Sequence, residues 1–409
     1  MLARMKPAAA LVALALALAP SFGAATPPEA PPATAAIAQG NRRFALALYR
    51  EIAREEHGNI FFSPASIAFA LGPLSAGARG ETRAGIARAL SFPTSSEELH
   101  PALAALQRGL ERDGQAATIS IANAIWLERS FVPRPAFLDI ARSHYRAAVE
   151  TLDFGGNPDG AAARINHWAD VETHGRIPHV VDRDMFGPAT RMVVTNAVYF
   201  LADWADRFPA QSSPAPFTAA NGQRADVPMM RQTLGYRHYD GPGFAALDLP
   251  YRDQRLAMTV LLPDDARGLP DLERALTPAL LERALRALDR AAPVDVDVAL
   301  PRLNLRRSYS LNNPLGRLGM GLAFTPRADF GGLSETPAQI SGVSQYTFLR
   351  VDERGTEAAA VTVVDAIVIT GTRRRNRPIV FHADHPFLFM LRDRESGAIL
   401  FFGRIVRPE

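Results

Sequence analysis

The sequence predicts one large α+β domain. Runs of helices are mixed with mostly antiparallel strands, and the strands beyond Trp204 are separated by Gly, Asp and Pro turns. No long linker divides the interior. In addition, Met192-Val193-Val194-Thr195-Asn196-Ala197-Val198-Tyr199-Phe200 is too continuously apolar for a surface strand, which places it centrally in a sheet.

At the N-terminus, Arg4 and Lys6 precede an apolar run over 8–19 and the small residues Ser21-Phe22-Gly23-Ala24-Ala25, the pattern of a secretory signal peptide cut after Ala25. The alternative, an uncleaved anchor, meets a run that is short for a membrane span. Residues 26–35 form a Pro-rich leader, extended or disordered over 26–34, and the domain occupies 36–409. Export to the periplasm or beyond the cell is therefore expected, with no membrane association after cleavage.

Within the domain, apolar residues at helical spacing over 36–56 predict a helix stopped by His57-Gly58-Asn59, followed by a short buried strand at 59–62. Ser63-Pro64 sets a capping residue before a helix-compatible proline, opening a helix over 65–78. Further helices are predicted over 80–90, 100–112, 134–145 and 161–173, with strands at 117–127, 149–154 and 191–201. Beyond Trp204 the pattern turns mainly to strands, at 224–230, 244–250 and 256–263. A helix over 269–288, a pair of strands within 294–305, a short helix over 310–318 and strands at 346–351, 387–392 and 399–406 complete the chain.

Composition narrows the function. With 409 residues, 47% of them hydrophobic, the chain can bury a large core. The charge of +3 and pI near 9.4 come from scattered Arg residues rarely interleaved with aromatics, which argues against nucleic-acid binding. Lys6 is the only lysine; with abundant Ala and Pro this resembles the product of a GC-rich bacterial genome. The absence of Cys excludes disulfides and thiolate metal sites.

An enzyme needs a site, and none of the usual arrangements occurs. There is no Gly-x-Ser-x-Gly elbow, no His-Glu-x-x-His helix and no Gly-rich phosphate loop; in Gly72-Pro73-Leu74-Ser75-Ala76-Gly77 the serine stands one residue out of place. The nine His are dispersed, with His382 and His385 in the strand approach 381–386, and read as surface or structural residues.

The stretch from Glu353 to Val364 is unusual. Gly355 breaks a strand pattern, after which small residues lead into the β-branched Val361 to Val364. Alternate residues Thr356, Ala358, Ala360, Thr362, Val364 and Ala366 carry no charge or bulk that resists burial, so the stretch can slot between strands. An Ala-rich loop or short helix fits the same residues, because Glu-Ala-Ala-Ala favours helix.

Six blocks in order make the chain resemble a serpin over roughly 36–409: Asn59 to Ile67, Gly77 to Thr82, Thr195 to Phe200 with Trp204 and Phe208, Val227 to Met230, the hinge Glu353 to Ala360, and Ala383 to Phe387 with Phe402-Gly403-Arg404. The resemblance implies a metastable fold of three β-sheets and about nine helices, with an exposed reactive loop over about 353–378. It implies a monomer with no cofactor or metal that inhibits serine or cysteine endopeptidases: the target cuts the loop, is held as an acyl-enzyme, and is distorted as the cut loop inserts into the central sheet.

On this resemblance the hinge comprises Glu353, Gly355, Thr356, Glu357, Ala358, Ala359, Ala360, Val361 and Thr362. Ser63, Ser66 and Asn196 match polar residues beneath the gap where the sheet opens. Gln345 stands where most serpins have His, and its amide can both donate and accept. Trp204 matches the aromatic at the loop's entry point, where Arg302 is expected to pair with Glu353. Hinge-to-bond length puts the scissile bond at Ile369-Thr370, implying a protease with an apolar specificity pocket. Arg373-Arg374-Arg375 is the alternative, suited to a trypsin-like enzyme. A non-inhibitory carrier or chaperone-like serpin is the competing function, but such members usually spoil the hinge with bulky, charged or Pro residues.

Overall fold

A computed structural model describes residues 32–93, 96–111, 117–356 and 377–409. The first helix, α1 (Pro32–Ala53), begins inside the stretch expected to be an extended leader, so residues 32–34 are corrected to its first turn; proline suits that position, and Thr34, Ile37, Ala38 and Phe44 are buried. The chain continues through β1 (Ile60–Phe62), α2 (Pro64–Gly77), α3 (Gly80–Ala89), α4 (Ser96–Leu110), β2 (Ala117–Glu128), α5 (Pro135–Tyr145), β3 (Ala148–Leu152), α6 (Pro158–Glu172) and β4 (Met192–Asp203). Then follow β5 (Ser213–Thr218), β6 (Arg224–Gly241), β7 (Phe244–Pro250), β8 (Leu256–Pro263), α7 (Leu269–Ala275), α8 (Pro278–Arg290), β9 (Val294–Pro301) and β10 (Leu303–Ser310). Last come α9 (Asn312–Leu315), β11 (Gly342–Asp352), β12 (Gly355–Thr356), β13 (Ile379–His382), β14 (Phe387–Asp393) and β15 (Ile399–Ile405).

The strands form two hydrogen-bonded networks among the described residues. A six-stranded sheet has the order β10-β11-β12-β4-β2-β3, and a nine-stranded one the order β1-β15-β14-β8-β7-β6-β9-β13, with β5 also on β6. The three sheets implied by the resemblance are present, two of them joined through β6, which runs unbroken for 18 residues. One end of β6 pairs with β5 and β9, the other with β7.

The expected strand at 224–230 covers only the first part of β6. Its continuation is polar and half-exposed, and pairing first with β9 and then with β7, rather than an apolar face, holds it in place. The expected helix over 269–288 is two helices, since Pro278 starts α8 behind Thr277, whose hydroxyl accepts from the Leu280 N–H at 3.2 Å. The short helix expected over 310–318 begins after Ser310, which closes β10.

Helix α2 is apolar all round and almost wholly buried, as a helix packed on several sides must be. Its start lies between the two sheets, where Ser63 bonds to Gln345 on β11 and to Leu400 on β15. Helix α6 covers the other face of the six-stranded sheet, packing Ile165 and Trp168 into a cluster with Trp126, Tyr346 and Phe348. No helix among the described residues is long and apolar enough to cross a membrane.

Candidate functional site

The centre of the six-stranded sheet changes its pairing along its length. Strands β11 and β4 are parallel and bond directly over six residue pairs, from Gly342↔Val193 to Thr347↔Val198. Beyond them β12 separates the two, antiparallel to both, with Thr356 opposite Val351 on one side and Ala202 on the other. The sheet is closed at one end and already parted at the other.

Local contacts hold β12 in place. The Trp204 indole donates to the Asp352 carbonyl at 2.9 Å, the Trp204 N–H to the Arg354 carbonyl at 2.8 Å and the Phe208 N–H to the Glu353 carbonyl at 2.9 Å. Gly355 lies so close to β4 that a Cβ would stand 2.0 Å from the Ala202 carbonyl oxygen, so only glycine fits there. Thr356 is fully buried, with its hydroxyl 2.7 Å from that of Tyr251, whose ring stacks on Trp204 at 4.7 Å. Burial pushes the Tyr251 phenol well up, so it stays a neutral hydrogen-bonding group.

Glu353 is buried and meets Arg302 in a forked contact, with Nε at 3.0 Å from both carboxylate oxygens and a terminal nitrogen at 2.5 Å. The Ser212 hydroxyl donates to the same carboxylate. Burial works against the charge, but Arg302 and Ser212 more than offset it and hold the carboxyl below its ordinary value.

The start of the reactive loop is therefore corrected. An exposed loop was expected from residue 353, whereas Glu353 and Thr356 are buried and Gly355–Thr356 is a strand, because β11 and β4 leave unpaired backbone groups that it satisfies. Glu357, Ala358, Ala359, Ala360, Val361 and Thr362, and the alternative cleavage positions Ile369-Thr370 and Arg373-Arg374-Arg375, lie outside the described residues.

At the closed end, Gln345 joins three elements. Its Oε1 accepts from the Ser63 N–H at 2.9 Å, while its Nε2 donates to the Ser63 carbonyl at 3.0 Å and to Asn196 Oδ1 at 2.8 Å. Asn196 Nδ2 donates in turn to Asn123 Oδ1 at 2.7 Å and makes a longer contact, 3.4 Å, to the Ser66 carbonyl. The Ser63 hydroxyl donates to the Leu400 carbonyl at 2.6 Å and accepts from the Ser66 N–H at 3.2 Å. Ser63, Ser66, Asn196 and Gln345, far apart in sequence, thus meet across β11, β4 and the start of α2.

Tyr251, Ser212 and Asn123 also belong to this constellation, and the sequence reading missed them. Tyr251 and Ser212 follow strand or turn patterns of no special character. Asn123 offered a faint signal as the polar residue inside the apolar run 121–127.

His385 makes contacts to Asp384 Oδ1 and to the Pro263 carbonyl, each 2.9 Å. Burial acts to lower its pKa, but these acceptors outweigh it and the imidazole lies above its ordinary value. No cluster of three or more metal-ligating side chains occurs among the described residues.

Comparison with known proteins gives a consistent result. The family model described as Serpin (serine protease inhibitor) matches residues 39–408. An uncharacterized serpin-like protein of Thermococcus kodakarensis is 37% identical, the alignment covering 90% of this chain and 84% of the relative. The leukocyte elastase inhibitor of Homo sapiens is 34% identical over 91% of this chain and 99% of its own. Among solved structures, a serpin of the insect Tenebrio molitor described as highly specific superposes with a TM-score of 0.81 at 28% identity, covering 91% of this chain and 98% of its own.

Proposed function

The chain belongs to the serpin family, and on that premise we propose that it inhibits serine endopeptidases irreversibly, trapping the acyl-enzyme by inserting its cleaved loop between β11 and β4. Serpins are protease inhibitors and generally not enzymes, and the relatives include an elastase inhibitor.

The observation that carries this reading is β12. Two hinge residues already occupy the top of a slot whose lower part is closed by direct pairing of β11 with β4. Continuing the register of β12 downward would set Thr362 level with the Gln345–Asn196 pair and Asp365 level with Gly342, the end of β11. Thr356 is buried, and Ala358, Ala360, Thr362 and Val364 share its alternation, so the small uncharged set would face inward. Each added main-chain hydrogen bond contributes about 1 kcal/mol. Insertion that far must part the Gln345–Asn196 hydrogen bond, which makes that pair a latch on the slot.

Cleavage at Ile369-Thr370 would free enough chain to fill the slot, and an apolar specificity pocket in the target follows from that bond. Cleavage at Arg373 to Arg375 would suit a trypsin-like enzyme instead. Residues 4–25 favour export, which N-terminal sequencing of the mature protein tests.

The deciding experiment incubates the protein with elastase-like, chymotrypsin-like, subtilisin-like and trypsin-like proteases and runs denaturing gels. A covalent band is expected, and the mass of the released C-terminal peptide identifies the bond. Rapid cleavage by the panel with no covalent band from any enzyme would favour a substrate or carrier. Thr356→Arg puts a long cation where a hydroxyl is fully buried. It should abolish the complex while leaving the loop cleavable, and undiminished inhibitory stoichiometry would contradict insertion.

A further inference from the structure

Away from the slot, helices α1, α2, α3, α4 and α5 and the turn after α3 line a partly open cavity of about 830 Å³, large enough for a drug-sized ligand. Its walls are apolar: Ala84 and Ala87 of α3, Phe92 of the turn, Leu99 of α4 and Ile140 of α5.

Among the described side chains, the polar part of the lining is neutral or cationic. Arg43 reaches it from α1 and Arg83 from α3, and no carboxylate among the described residues pairs with either; Arg83 donates only its Nε, to the Ala78 carbonyl at 2.9 Å. Arg88 has a partner, Glu81 at 2.5 Å. His100 also lines the cavity, its Nδ1 2.6 Å from the Tyr145 hydroxyl. Burial, with His144 and Arg83 adding to it, pushes the imidazole down to about 4, so at neutral pH it is an uncharged hydrogen-bonding group in a positive field.

Two guanidiniums with no carboxylate partner among the described residues, beside an apolar wall, suit a ligand with one anionic end and an apolar body. A sulfated sugar would satisfy the cations but leave the walls uncovered. A neutral apolar molecule would cover the walls and gain nothing from the cations. A guanidinium fork matches a carboxylate geometrically. We propose that this cavity binds an amphipathic carboxylate, its acyl chain or ring against Ala84, Ala87, Phe92, Leu99 and Ile140 and its carboxylate at Arg43 and Arg83.

Isothermal titration of the full chain with dodecanoate, below its micelle concentration, tests the assignment, with dodecanol and dodecylammonium as neutral and cationic counterparts. Saturable one-to-one binding of dodecanoate is expected, at least tenfold tighter than dodecanol, with no uptake of dodecylammonium. The double variant Arg43→Gln, Arg83→Gln should weaken dodecanoate at least tenfold. Both residues are exposed and only the single Arg83 hydrogen bond to Ala78 is lost, so the variant should melt within a few degrees of the parent. Ala87→Phe fills the chamber and should block binding. No saturable binding, equal affinity for dodecanol, or undiminished affinity in the double variant overturns the proposal. None of these readouts depends on protease inhibition.

Discussion

At the scale of single residues, Gln345 does the most. It is fully buried, and its amide both donates to and accepts from groups that are also buried, so none of its hydrogen-bonding capacity goes to water. Gln345→Ala would leave the Ser63 backbone and Asn196 Oδ1 without these partners, at about 1–3 kcal/mol for each orphaned group. Urea unfolding should show a lower midpoint at an unchanged slope. Glu353 differs because its partner Arg302 is half-exposed, so solvent screening limits the pair to about 1 kcal/mol. Its carboxyl is held below the ordinary value, so its contribution is present above that value and lost as pH falls through the lower folded-state one. Glu353→Gln should therefore be less stable than the parent at neutral pH and draw level in acid, as paired unfolding curves across pH would record. Of these residues, Gln345, Glu353 and Arg302 could be named from sequence only through the resemblance, because a polar side chain carries no mark of the partner that folding brings to it.

At the scale of elements, β12 is decisive despite its two residues. The alternation of small side chains after Gly355 was legible as a strand in waiting, but not that its first residues are already inside the sheet, since this depends on unpaired edges contributed by β11 and β4. Gly355→Ala tests the insertion, because the new methyl would collide with the Ala202 carbonyl. Expulsion of β12 is expected, read as faster amide exchange at Gly355 and Thr356 and earlier proteolytic nicking near the hinge; unchanged protection would mean that the backbone can shift to make room. Elsewhere, strongly patterned elements such as β7 and β8 were legible to their ends. β5 escaped notice because Pro214 and Pro216 argue against a strand, yet it pairs only with β6, as an edge strand that carries proline can.

At the scale of the whole molecule, the proposed mechanism requires that the sheet, parted by β12 at one end and closed by β11–β4 pairing at the other, accept one more strand. Nicking the loop should let that strand enter, so the cut protein should melt at a higher temperature than the intact one; calorimetry before and after limited proteolysis measures this, and an unchanged melting temperature would remove the driving force for trapping. The sequence by itself determined the α+β class, the family, the order of most elements and the insertion-ready alternation after Gly355, because periodicity and turn chemistry are local and six ordered motifs suffice to mark the family. Only the tertiary structure decided that two sheets share β6, that Glu353 and Thr356 are buried, that Tyr251, Ser212 and Asn123 complete the hinge and latch, and that an apolar chamber lies beside Arg43 and Arg83. Each of these is a meeting of residues tens to hundreds of positions apart, fixed by packing and by the need to pair buried polar groups, which no stretch of chain expresses alone.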